Sequence, residues 1–94
     1  MEDTQLNLNE GRILVDFYAD WCGPCRAMAP TLEEFTDQVE EVELIKVDVD
    51  KDHETAMKFG IRSIPCFVYM EDGEVIQKGL GTKSLTQLKE MCGL

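Results

Sequence analysis

Ninety-four residues, 44% of them hydrophobic and 30% charged, are enough for one globular domain with one core, and the composition argues against a disordered or membrane-embedded chain. Nineteen acidic against nine basic residues give a formal net charge of −10, which repels phosphate backbones and excludes nucleic-acid binding as a main activity. No apolar run approaches the ~20 residues that a bilayer-spanning helix needs.

We read residues 1–94 as a single domain, without linker, repeat or low-complexity tract. Met1 to Glu10 holds no basic residue and no apolar stretch. It does not read as a secretory signal, so a cytoplasmic location is expected. Asp3 or Thr4 could cap a helix through Leu6 and Leu8, and the alternative is an extended stub. Ile13 to Ala19 is an apolar run broken only by Asp16, the pattern of a buried strand. Cys25, Met28, Leu32, Phe35 and Val39 recur at steps of three and four, the pattern of an amphipathic helix, in which Pro30 should remove one hydrogen bond and kink the axis.

Glu43 to Val49 reads as a second strand. Asp52 to Phe59 reads as a short helix closed by Gly60. Cys66 to Met70 and Glu74 to Lys78 are strands joined through Asp72-Gly73, a hairpin signal. Ser84 to Cys92 is the last helix, with Ser84 and Gln87 spaced for a capping box. The order βαβ, α, ββα predicts an α/β domain: a mixed sheet of four strands covered by helices on both faces, the crossover pair parallel and only the final hairpin antiparallel. The short stretch before Arg12 leaves little room for a fifth strand.

Four cysteines stand at 22, 25, 66 and 92. One tight Cys-x-x-Cys in a chain without a signal points to redox chemistry before a disulfide scaffold. Cys22 falls where the first strand gives way to the long helix. Unpaired N–H groups and the macrodipole at a helix N-terminus favour an anion, so the Cys22 pKa should fall, and the thiolate is the attacking species in thiol–disulfide exchange. Pro24 is tolerated in the first turn, where its missing N–H has no intrahelical role. Cys25 lies close enough to close a small disulfide ring, so Cys22 should attack and Cys25 resolve. A buried cysteine pair, or half of a zinc site, is the alternative for a lone Cys-x-x-Cys.

The residues around the pair narrow this. Val15-Asp16-Phe17-Tyr18-Ala19-Asp20-Trp21-Cys22-Gly23-Pro24-Cys25-Arg26 resembles the active-site segment of the thioredoxin family at nearly every position. Ile61-Arg62-Ser63-Ile64-Pro65, Gly73-Glu74-Val75 and Gly81 resemble the family's second half in order and spacing. Thioredoxins are themselves a standard example of a lowered cysteine pKa, so this likeness and the helix argument are not independent.

The resemblance implies a thioredoxin fold and a protein-disulfide reductase that cycles between a Cys22/Cys25 dithiol and disulfide. It implies no bound cofactor, re-reduction by a thioredoxin reductase, disulfide-containing client proteins and a monomer. It makes Asp16 the acid–base group that helps to deprotonate Cys25. A carboxylate inside an apolar strand is costly, and burial raises its pKa; a strand-edge carboxylate reaching water is the alternative. Lys46 takes the position of the lysine that faces this aspartate. Pro65 matches the family's cis-proline. The backbone of Ile64 would pair with an extended client segment, and Trp21, Gly23, Pro24, Ile64, Pro65 and Gly81 would form a shallow docking surface.

Two features depart from the family. The N-terminal extension is short, and Cys66 stands where threonine is common. Cys66 reads as a small core residue, a redox-sensing thiol or a metal or cluster ligand, and Cys92 as core. His53, the only histidine, reads as a surface residue on the short helix. Competing functions are an oxidase or isomerase, a non-redox binding subunit of a larger complex, and a metal or iron–sulfur carrier using Cys22, Cys25 and Cys66. No second Cys-x-x-Cys completes a four-ligand site for the last of these.

Overall fold

The computed structural model describes residues 7–94, so the reading of a helix capped by Asp3 or Thr4 lies outside the described residues. Among the described residues four strands form one sheet in the order β2-β1-β3-β4. They are β1 (Arg12–Tyr18), β2 (Glu43–Asp48), β3 (Cys66–Glu71) and β4 (Glu74–Leu80). The helices are α1 (Gly23–Ala27), α2 (Ala29–Gln38), α3 (His53–Lys58) and α4 (Leu85–Met91).

Strand β1 is buried on both faces, which explains its nearly unbroken apolar sequence. Side chains alternate across a strand, so Leu14 faces one side and Ile13, Val15 and Phe17 the other. Leu14 joins Phe67 and Tyr69 of β3 with Leu32 and Phe35 of α2 and Leu88 of α4 in one core. Ile13, Val15, Phe17, Cys66, Val68 and Met70 form the second core, on which Phe59, Ile61 and Leu8 pack. The rings of Phe17 and Phe59 lie 5.7 Å apart and tilted by 55°.

The β1–β2 pair is parallel, and β3 pairs with both β1 and β4 antiparallel. The antiparallel part is therefore larger than the sequence reading, which confined it to the final hairpin. Helix length gives the reason. Six residues of α3 rise about 9 Å, while a six-residue strand spans about 20 Å. Thus α3 cannot carry the chain back along the sheet. The chain re-enters at the end where β1 finishes, with Cys66 opposite Phe17.

The long amphipathic helix is divided at Met28, a sharper outcome than a kink. Pro30 has no N–H to give to Arg26, so the ladder fails there, and α2 restarts with proline in its first turn. Local capping follows the sequence closely. Asp52 accepts the Thr55 N–H, and Gly60, at φ +65°, closes α3, with the Ile61 N–H reaching the Ala56 carbonyl at 2.9 Å. Ser84 and Gln87 exchange both bonds of a capping box. Asp72 and Gly73 both have positive φ, as a two-residue hairpin turn requires.

Candidate active site

Parallel strands β1 and β2 end side by side, and the Val49 N–H donates to the Tyr18 carbonyl at 2.9 Å. Chain crossovers leave β1 toward β2 on one side while β3 flanks the other, so the loops beyond the strand ends open a crevice there. Residues 19–22 enter it. Ala19 is buried, its carbonyl accepts the Cys22 N–H, and Cys22 becomes the N-cap of α1.

Cys22 and Cys25 form a disulfide, with Cα atoms 5.2 Å apart. The Cys25 N–H donates to the Cys22 sulfur at 3.2 Å. With α1 only five residues long, the field of a long helix does not stand behind Cys22. Stabilisation of an anion there is local and comes chiefly from this N–H. Exposure does not separate attacker from resolver: the two cysteines are 4% and 8% exposed.

Trp21 is 67% exposed, and its indole N–H donates to Asp50 at 2.7 Å. It therefore leans toward the loop after β2. Gly23 and Pro24 are exposed beside it. On the other side, Ile64 packs on the Ala19–Cys22–Cys25 cluster. The Ile64–Pro65 peptide bond is cis, Pro65 is buried, and its carbonyl accepts the Gly81 N–H at 2.9 Å. Ile64 thus packs against the cysteine pair, and its neighbour Pro65 is tied to Gly81.

Asp16 lies below the pair, 3% exposed, on the same side of the sheet as Leu14. It shares an open cleft of about 370 Å³ with Cys25, Lys46, Tyr18, Asp20 and Arg26. Burial pushes its carboxyl up to about 6, and the Lys46 ammonium opposes the rise. Lys46 is the register partner of Asp16 in β2 and also lies over the Tyr18 ring, 5.5 Å from its centroid.

Sequence reasoning missed Asp50 and gave Arg26 no role. Arg26 donates to the Asp20 carbonyl at 2.7 Å and, with Asp50, holds the loop before Cys22 from two sides. The parallel register held the signal: Tyr18 pairs with Asp48, so the residues just past each must meet.

Cys66 is a free, fully buried thiol in the second core, between Phe17 and Leu80 in register, and burial pushes its pKa up. Cys92 is also free, and burial pushes it up to about 11. His53 is exposed. Among the described residues no group of three or more His, Cys, Asp and Glu side chains is arranged to hold a metal ion. Among the same residues no helix is long and apolar enough to cross a membrane. Cys66→Ala should keep most of the disulfide-reducing turnover and cost about 1 kcal/mol of stability, since only one buried sulfur is removed. Insulin-disulfide turnover and a urea unfolding curve check both; a loss of turnover near that of Cys22→Ser would make Cys66 a third reacting thiol.

The likeness seen around the cysteines extends over almost the whole chain, for the thioredoxin family model matches residues 3–93. The chain belongs to the thioredoxin family. The thioredoxin of Bacillus subtilis (strain 168) is 43% identical over 84 residues, spanning 88% of this chain and 81% of that protein. The thioredoxin of Listeria monocytogenes gives the same identity over 84 residues, with 88% and 82% covered. Among solved structures, Fasciola hepatica thioredoxin superposes with a TM-score of 0.83 at 42% identity, covering 90% of this chain and 82% of that one. Mitochondrial thioredoxin 3 of Saccharomyces cerevisiae, in its oxidised form, superposes at 0.84 with 32% identity, covering 92% and 80%. Thioredoxins are disulfide oxidoreductases, and Cys22–Cys25 is the redox disulfide of this member.

Proposed function

We propose that this thioredoxin works as a general protein-disulfide reductase, with Cys22 as attacker, Cys25 as resolver and Asp16 as the acid–base group. The observation that carries the reading is the Cys25 N–H aimed at the Cys22 sulfur, at a helix N-cap that needs an acceptor. It stabilises a thiolate on Cys22 and offers no such help to Cys25.

The reduced Cys22 thiolate attacks one sulfur of a client disulfide. Its partner sulfur leaves with the electron pair and takes a proton. Cys25 then gives its proton to Asp16, across a cleft large enough to admit bridging water. The Cys25 thiolate attacks the Cys22 sulfur and expels the second client thiolate. The client gains two electrons, and the protein is left as the Cys22–Cys25 disulfide. Lys46 tempers the rise in the Asp16 pKa. Trp21, Gly23, Pro24, Ile64, Pro65 and Gly81 receive the client, with the Ile64 backbone pairing to an extended segment. A thioredoxin reductase returns the two electrons.

Gly23-Pro24 resembles the reducing members of the family, which favours this direction over oxidase or isomerase work. A reducing compartment, the cytoplasm, suits this direction and the free thiols Cys66 and Cys92. The charge of −10 favours a monomer. Insulin-disulfide reduction, driven first by dithiothreitol and then by a thioredoxin reductase with its electron donor, tests the reading. Turnover in both supports it. No acceleration over dithiothreitol alone would turn attention to the non-redox binding role, for which retained partner binding by a Cys22→Ser/Cys25→Ser double variant is the sign.

A further inference from the structure

The segment between β4 and α4 carries Gly81, and the chain fixes that segment from several sides. The Gly81 N–H is bonded to the Pro65 carbonyl at 2.9 Å. The Lys83 N–H donates to the Met28 sulfur at 3.5 Å, and Met28 sits at the break between α1 and α2. The half-buried Lys83 side chain then folds back, and its ammonium donates to the Leu80 carbonyl at 2.7 Å. That path crosses the face of Gly79. A Cβ on Gly79 would lie 2.9 Å from the Lys83 Cε and 3.2 Å from the Met91 sulfur. Gly79 is not at positive φ, so no turn demands glycine here, and an edge strand gains nothing from one. What the missing side chain provides is room for the lysine stem.

We infer that Gly79 and Lys83 are positioning residues for client docking. Lys83, lying in the space that Gly79 leaves, holds the Leu80–Lys83 segment so that Gly81 meets Pro65 beside the disulfide. This rests on the docking surface proposed above. Neither residue touches the reacting sulfurs in this account, so the chemistry should be indifferent to them and protein docking should not be.

The test compares two disulfides of different size in single turnover. Reduced protein is mixed with insulin or with 5,5′-dithiobis(2-nitrobenzoate), and the second-order rate constant is read for each. Gly79→Ala pushes the flexible end of Lys83 aside and asks the flexible Met91 side chain to give by a few tenths of an ångström, so the fold should hold, and its urea midpoint serves as the control. Its insulin rate constant should fall about three- to tenfold, the effect of misplacing one backbone hydrogen bond, with the small disulfide unchanged. Lys83→Ala should lower the insulin rate in the same way. In the Lys83→Ala background, Gly79→Ala should add little to the insulin loss, because the closer clash has gone and only the Met91 contact, away from the Leu80–Lys83 segment, is left. An unchanged insulin rate in Gly79→Ala, equal losses on both disulfides, or additive losses in the double variant would each overturn the inference. A parent protein inactive on insulin would instead sink the docking surface on which it rests.

Discussion

Cys25→Ser is expected to accumulate mixed disulfides on Cys22 when the reduced protein is added to a cell lysate. The bond that favours the Cys22 thiolate comes from the main chain of residue 25, and a serine there keeps it. A hydrogen bond to a charged acceptor contributes about 1.5–3 kcal/mol, which favours the thiolate. The first attack therefore proceeds in the variant. The second cannot, because a serine hydroxyl does not displace a disulfide, and the adduct stays. Cys22→Ser reverses the situation. Cys25 remains, but at the third residue of α1, where among the described residues no backbone N–H donates to its sulfur. We expect about tenfold less trapping, in line with the smaller thiolate fraction. Both cysteines are nearly equally enclosed, so exposure does not predict the difference. Affinity-tagged variants run side by side on non-reducing gels, with dithiothreitol to reverse the adducts, give the answer. Equal trapping, or more by Cys22→Ser, would reverse the assigned roles.

The parts of the fold legible in the sequence are those set by neighbours along the chain. Ser84 and Gln87, Asp72 and Gly73, and Asp52 before α3 each satisfy backbone groups within four residues, so spacing alone finds them. The apolar run of β1 and the Cys22–Cys25 spacing are equally local. What the sequence hid lies between segments far apart. The direction of β3 follows from comparing helix length with strand length, a three-dimensional closure that periodicity does not express. Asp50 meets Trp21 across 29 positions, and Lys83 meets Met28 across 55. Pro30 announced a disturbance, but whether α2 bends or restarts depends on whether Met28 finds other partners. Its N–H turns to the Cys25 and Arg26 carbonyls, and the break follows. Asp16 stands between the two kinds: its misfit in an apolar strand is visible from sequence, while the cleft it shares with Cys25 is not.

Asp16→Asn is expected to make the protein more stable at neutral pH and slower in turnover. Asp16 is almost fully enclosed, and its carboxyl is pushed from 3.8 up to about 6 by burial. A raised acid pKa means that the folded state holds the proton more tightly than the unfolded one. Stability then falls as pH climbs from about 4 to 6, and above that range the ionised group carries its full cost, up to about 3 kcal/mol. Lys46 lowers that cost, and Arg26, Asp20, Tyr18 and Cys25 line the same cleft, so they set the remaining field. The amide has no charge to desolvate. The gap between variant and parent in urea unfolding should therefore be near zero at pH 4 and about 1–3 kcal/mol in favour of asparagine at pH 8. Turnover should move the other way. Without the carboxylate, Cys25 must lose its proton to water, and removing a general base costs about a hundredfold or more in a step limited by proton transfer. The deficit should shrink as pH rises toward the thiol's own pKa, because hydroxide then does what Asp16 did. A variant that is less stable than the parent and equally fast at pH 7 would remove Asp16 from both roles, since one buried carboxylate is the common source of the two effects.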